Sequence, residues 1–228
     1  MDATFEQLKE LLVQIQPDAN GVARAPTERE LAKALDVQRS TLRERLASLE
    51  VLGLIRRTQG SGTYLALPDS GFVRLYFEMA LKLGYFNIEQ LQQAREMLEH
   101  EVARVAACSA TPDDLAALQA ALDRMLTTQS VAEGDEADYQ FHLSLMQATH
   151  NPVITLIMEG LASVLYQVLQ QRRQLIRTIP GAAERTNATH ILIVQAIFDH
   201  DPEQAVRAME NHFAVWNEES TREGVNGL

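Results

Sequence analysis

The sequence predicts a mainly α protein in two parts: an N-terminal winged helix-turn-helix, then an all-α bundle of six or seven helices. Three observations carry this. Residues 27–66 hold two short helical patterns and two short β segments joined by a glycine-rich turn, after which β signals vanish. Leu67-Pro68-Asp69-Ser70-Gly71 breaks the pattern as a linker does. Beyond it, apolar residues recur at helical spacing, each segment bounded by Pro, Gly, Asn or Asp. At 228 residues the chain accommodates two modest domains, placed at 1–68 and 72–228.

Met1–Gln16 is amphipathic, with Phe5, Leu8, Leu11, Leu12 and Ile15 forming a stripe that would pack under the head. Pro17–Ala25 reads as a loop. Thr27 is a plausible N-cap, with Glu30 three residues on as its reciprocal partner. The helix it opens carries Leu31, Ala32, Ala34 and Leu35 and ends at the turn Asp36-Val37. A second helix starts at about Gln38. Its apolar face is Leu42, Leu46, Leu49 and Leu52, and Gly53 stops it as a C′ residue. Segments Leu54–Arg57 and Thr63–Ala66, joined by the turn at 58–62, complete a wing. The second helix puts Arg39, Ser40, Thr41 and Arg43 in its first turns. Recognition helices enter the major groove with their N-terminal residues at base edges. Arg39 and Arg43 share a face one turn apart, and Arg pairs bidentately with guanine. Gly60 and Gly62 let a wing tip approach a backbone closely.

The bundle helices are predicted at 72–83, 87–108, 112–128, 134–148, 151–177, 182–200 and 202–219. Thr111-Pro112-Asp113-Asp114 and Asp201-Pro202-Glu203 are helix starts with Pro at N1 and acids in the first turn. Asn151-Pro152 and Pro180-Gly181 separate helices. Asp138 and His142, four residues apart, share one helix face. His190 and His212 sit in two further apolar helices. The four could converge on one ion, and imidazole with carboxylate suits zinc, nickel, iron or manganese. Taken singly, each His reads first as a hydrogen-bonded core residue. Cys108, the one cysteine, excludes an internal disulfide and is expected in the core.

The net charge of −11 is unevenly placed. Residues 1–68 hold nine basic and nine acidic residues, and the remainder holds 11 and 22. A neutral head with clustered arginines can still bind phosphate, while the acidic remainder is not expected to face a duplex. No run of 18 apolar residues and no signal pattern occur, so a cytoplasmic protein with no membrane contact is expected.

The run P-T-E-R-E-L-A at 26–32 and G-L-I-R-R-T-Q-G-S-G-T-Y at 53–64 resembles the winged head of the GntR family of bacterial transcription regulators. The resemblance implies operator contacts from Arg29, Arg39, Ser40, Thr41, Arg43, Gln59 and Gly60. The chain departs from many members at Thr41, where they carry Pro. The bundle resembles the FCD domain of the FadR subfamily. The shared residues are Arg95, Leu98 and Glu99; Asp138 through His142; Asn151; His190, Ile193, Ala196 and Ile197; and Ala205, Ala208, Met209 and His212. This implies a divalent metal, zinc foremost, held by Asp138, His142, His190 and His212 in a buried cavity.

The function so implied is a DNA-binding transcriptional regulator, a repressor, working as a homodimer on a palindromic duplex operator. A small carboxylate effector, such as a hydroxy-, keto- or sugar acid, would bind at the metal, with Arg95 as its bidentate partner. Pairing of Arg95 with Glu99 at i+4 is the plainer role for that residue. Tyr139 and Gln195 are weaker wall candidates, and Arg172 and Arg173 suit a solvated face. Direct metal sensing is the alternative, and a metalloenzyme a more distant one.

Overall fold

The computed structural model describes residues 3–19, 21–128, 130–169, 174 and 179–222. The chain divides into two compact units, Met1–Phe72 and Val73–Leu228.

The first unit contains α1 (Ala3–Val13), α2 (Glu28–Ala34), α3 (Arg39–Val51), β1 (Ile55–Thr58) and β2 (Gly62–Leu65). Thr27 and Glu30 form the expected capping box, which satisfies two otherwise orphaned N–H groups and fixes where α2 begins. Helix α3 ends in a Schellman motif. Gly53, at φ +72°, donates to Glu50 O, and Leu54 N–H reaches back to Leu49 O at 3.0 Å. Leu8, Leu12, Leu31, Leu42, Leu46, Leu49 and Ile55 close into one apolar core, so α1 does pack into the head.

Two expectations shift here. The antiparallel ladder pairs Ile55 with Leu65 through Thr58 with Gly62, one residue away from the predicted segments. At the near end Ala66 N–H still donates to Leu54 O at 3.0 Å, but Leu54 N–H is committed to the end of α3, so that pair lacks its second ladder bond. The segment read as a loop also lies along β2. Ala25 N–H donates to Thr63 O and Leu65 N–H to Ala23 O, satisfying an edge that would otherwise be open. Arg24 then caps the wing, donating from Nη2 to Ser61 O at 2.6 Å.

The second unit contains α4 (Gly71–Lys82, entered from the first), α5 (Ile88–Ser109), α6 (Pro112–Thr127), α7 (Val131–Gln147), α8 (Pro152–Val168), α9 (Ala182–Phe198) and α10 (Pro202–Arg222). Asn87 with Gln90, and Thr111 with Asp114, form two more capping boxes. Helix α7 starts three residues earlier than predicted, because Ser130 Oγ accepts from Glu133 N–H and extends the helix through Gly134. The predicted 151–177 helix is described to Val168; Arg172 and Arg173 lie outside the described residues.

The bundle core is one cluster centred on Phe141, Leu118, Leu145, Met146, Leu161, Leu165, Ile193, Ile197 and Met209. Helices α9 and α10, α6 and α7, and α5 and α10 make the most extensive contacts. Gly160 admits α4 against α8: a Cβ there would fall 2.6 Å from Val73 Cγ1. Cys108 is exposed, contrary to expectation. The buried stripe of α5 is Val102, Ala103, Ala106 and Ala107, and the next 100° step carries residue 108 out of it. Among the described residues no helix is long and apolar enough to cross a membrane.

Leu46 is fully enclosed in the head core. Leu46→Ala should cost the head about 2–5 kcal/mol through lost burial and a residual cavity. Native-state hydrogen exchange of the α2 and α3 amides measures this, and unchanged protection would contradict the core assignment.

Candidate metal centre and nucleic-acid interface

In the head, Arg39, Ser40 and Arg43 are exposed at the start of α3, and Thr41 is half-buried. The N-cap Gln38 makes no side-chain capping bond. Arg29 is exposed in the first turn of α2, and Gln59 and Gly60 are exposed at the wing tip, where Gly60 takes φ +76°. Every residue expected to contact DNA is thus at the surface, although Thr41 is partly shielded. Sequence reading did not single out Glu28. Its Oε2 accepts from Arg43 Nε at 2.8 Å and lies 3.6 Å from Arg39 Nη2. The Arg43 hydrogen bond, opposed by desolvation and helped by Arg39, holds the Glu28 carboxyl below its ordinary range. As an acid in a helix first turn, Glu28 was already accounted for by the helix dipole, so nothing in the sequence marked it further.

In the bundle, α7 supplies Asp138 and His142, α9 supplies His190 and α10 supplies His212. The three imidazoles are buried, each offering a nitrogen within 4.8 Å of the others. Asp138 Oδ1 lies 3.1 Å from His190 Nε2 and 4.0 Å from His142 Nε2. Ligands about 2.0–2.2 Å from one ion sit no more than about 4.4 Å apart. Ordinary side-chain adjustment would therefore bring this set onto one metal.

Two partners face the rings. Glu99 Oε2 stands 2.6 Å from His142 Nδ1, close enough to act through its charge although the pair is outside hydrogen-bonding geometry. That negative charge favours the proton on Nδ1, which leaves Nε2 its lone pair. Thr189 Oγ1 donates to Thr186 O, so in its 2.9 Å contact with His212 it accepts from Nδ1–H. The His212 Nε2 lone pair is likewise left to ligate. Such outer partners are what metal-binding imidazoles require. Neither nitrogen of buried His190 has a partner in hydrogen-bonding geometry among the described residues. That arrangement is costly unless one nitrogen coordinates a cation. The donor set fits a divalent ion.

The charges agree. Desolvation is the largest influence on Asp138 and pushes its carboxyl up, but the His190 imidazole 3.1 Å away and the fields of His142 and His212 outweigh it, leaving it well below the usual carboxylate range. Burial, then His190 and His142, push His212 well below its ordinary value against the pull of Asp138 and Glu99, which favours the neutral ring a metal needs.

Arg95 Nε donates to Glu99 Oε1 at 2.5 Å, the plainer of its two expected roles, and its guanidinium lies 5.7 Å from the Phe213 ring centre. It also lines a cavity of about 560 Å³ together with Asp138, His142, His190 and His212. Gln92, Thr128, Ser130, Asp135 and Asn187 add polar wall. Burial opposes ionisation of Glu99, but Arg95 and then His142 outweigh it and hold the carboxyl at about 2. Tyr139 and Gln195 are not among the described wall residues. Tyr139 packs on Tyr166, and Gln195 bonds Asp199. Sequence reading also passed over Glu99 and Thr189 as site residues. The first was visible only as a motif member, and the second is an unremarkable helix threonine.

Residues 3–65 match the family described as bacterial regulatory proteins, gntR family, and residues 90–215 match the FCD domain. The chain is similar to the HTH-type transcriptional regulator LutR of Bacillus subtilis, at 32% identity over 80% of this chain and 84% of that protein. It is 36% identical to the Uxu operon transcriptional regulator of Escherichia coli over 61% of this chain and 55% of that protein. The solved structure of Streptococcus agalactiae GntR shares the fold, with a TM-score of 0.70 at 22% identity, covering 94% of this chain and 97% of that one.

Purified protein is expected to carry close to one divalent ion per chain after zinc loading, measured by elemental analysis. His142→Ala, His190→Ala and His212→Ala should each deplete it, and Asp138→Ala less, since water can replace a carboxylate. Glu99→Gln should weaken metal affinity by about 10–100-fold without removing a ligand. Failure of wild type to bind metal after reloading would reject the site.

Proposed function

We propose the following reading for a chain that belongs to the GntR family of bacterial transcription regulators and carries an FCD domain: its winged head, as a homodimer, represses from a palindromic duplex operator, and a small organic acid held at a divalent metal in the bundle sets the operator affinity. Its relatives are transcriptional regulators, not enzymes, which sets aside a hydrolytic role for the metal site. The observation that carries the effector reading is the buried three-histidine set, two of whose rings face Glu99 and Thr189, opening into a cavity that Arg95 also lines.

A bound divalent ion would supply a Lewis-acidic attachment point for a carboxylate and an adjacent hydroxyl or keto oxygen. Zinc leads, with nickel, iron and manganese compatible with the same donors. The protein's own groups do the rest. Arg95 presents a planar cation beside the ligands. Asp138, His142, His190 and His212 set the charge at that end. Thr128, Ser130, Asp135 and Asn187 make part of the cavity wall polar, which suits a hydroxylated acid as well as a keto acid. The cavity lies in the size range of sites that enclose small organic ligands. Effector and operator affinities must then be reciprocally coupled, typically by about 1–3 kcal/mol. Dimerisation through the bundle follows from the two-fold symmetry of a palindromic site. The exposed apolar face of α4, Leu75, Tyr76 and Met79, is available to bury in it.

The duplex recovered from a random pool by the wild-type protein serves as operator. Arg39→Ala or Arg43→Ala should weaken it by about 1–3 kcal/mol per lost base contact while leaving metal content unchanged. If both variants bind like wild type, α3 is not the reading helix.

Arg95 is tied to Glu99, so alanine there would also disturb His142. Arg95→Lys is the cleaner variant, because it keeps a cation and removes the bidentate fork. At saturating zinc it should keep its metal and its acid-free operator affinity yet lose most of the response to a panel of hydroxy, keto and sugar acids, read by fluorescence anisotropy. A normal response would place the carboxylate elsewhere in the cavity, and a response to zinc alone would make the metal the signal.

A further inference from the structure

A carboxylate sits where the head's own logic would exclude one. Glu28 is the first residue of α2, and its Oε2 takes a hydrogen bond from Arg43 Nε at 2.8 Å while standing 3.6 Å from Arg39 Nη2. The two arginine side chains are 57% and 62% exposed and that of Glu28 only 25%, so the acid lies beneath the cations it holds. Non-specific affinity for a duplex comes from neutralising phosphates, and a negative charge between two arginines subtracts from it. A protein built only to adhere to DNA gains nothing from this acid.

What Glu28 provides is direction. With Nε engaged, Arg43 is left with its Nη1/Nη2 edge as the free donor pair, a geometry that matches guanine O6 and N7. Two like charges one helical turn apart repel, and two long side chains are costly to order. A shared carboxylate offsets both. Glu28 is itself well anchored, because the Thr27–Glu30 capping box sets where α2 begins.

We propose that Glu28 is a specificity-determining positioning residue. It holds Arg39 and Arg43 in the orientation that reads bases and lowers the affinity of the head for DNA of other sequence. The proposal rests on α3 being the reading helix.

The test uses full-length wild type, Glu28→Gln, Glu28→Ala, Arg39→Ala and Arg43→Ala. Each selects from a random duplex pool, and each is titrated against the wild-type site and a scrambled duplex over a range of salt. Glu28→Gln keeps size and polarity, and thermal melting confirms that the head is intact. Both Glu28 variants should keep the half-site spacing but blur the base positions that the two arginine variants also blur. Scrambled-duplex affinity should rise, and the ratio of specific to scrambled binding should fall about tenfold, the size of one degraded base contact. Sharp preferences in Glu28→Gln at positions the arginine variants blur would overturn the proposal alone. So would equal gains on both duplexes, which would make Glu28 mere bulk charge. Preferences that Arg39→Ala and Arg43→Ala leave intact would overturn the assignment of α3, and the proposal with it.

Discussion

Glu99 is 1% exposed and its two oxygens are divided, one facing Arg95 Nε and the other His142 Nδ1. A lone buried carboxylate would be strongly unfavourable, and it is tolerated here because a cation and an N–H donor face it directly. The centre of the bundle depends on that arrangement. It sets a carboxylate oxygen 2.6 Å from His142 Nδ1, keeps a negative charge behind the three histidines, and holds Arg95 against the cavity wall. With its carboxyl at about 2, Glu99 stays ionised across the ordinary pH range. Because its folded value lies below the unfolded 4.5, the stability it contributes is present above that value and is lost as pH falls from about 4.5 toward 2. Removing Arg95 or His142 alone would leave the charge partly uncompensated, so these residues work as a unit and their effects should not add.

The head solves a different problem with the same means. Its arginines must stay at the surface to meet a polyanion, and its leucines must be buried to hold α3 still. The Schellman motif at Gly53 and the edge pairing of residues 23–25 with β2 set where the hairpin stands on the head core. Arg24 then ties the wing tip through Ser61 O, and Ser61 Oγ meets Tyr64 OH at 2.6 Å. Carboxylates recur as holders of arginines: Glu28 for Arg43, Glu50 for Arg57, Glu99 for Arg95. Against exposed partners such pairs contribute little to stability. Their value lies in geometry.

Local signals in the sequence were strong wherever one residue type does one job. Thr27 with Glu30, the Pro112 helix start with its acids, and the break at Asn151-Pro152 were all readable, because such signals involve neighbours within four residues. The stripes of α1 and α3 were readable because burial on one face imposes a 3.6-residue period. Where periodicity weakened, the reading erred. Gly134 masked the first turn of α7, and an Ala-rich run drew Cys108 into a core it does not join, because small residues mark a stripe too faintly to show its edge.

The chain's own order determined the two-part architecture, the exposed Arg39 and Arg43, and the identities of Asp138, His142, His190 and His212, since periodicity, caps and residue chemistry are local properties. Only the tertiary structure decided that α7, α9 and α10 bring those histidines within 4.8 Å, that Glu99 and Thr189 face two of them, and that Glu28 from one helix grips arginines on the next. Those are contacts between residues 11 to 70 positions apart, set by how helices pack around Phe141 in the bundle and Leu42 and Leu46 in the head. No spacing along the chain encodes them.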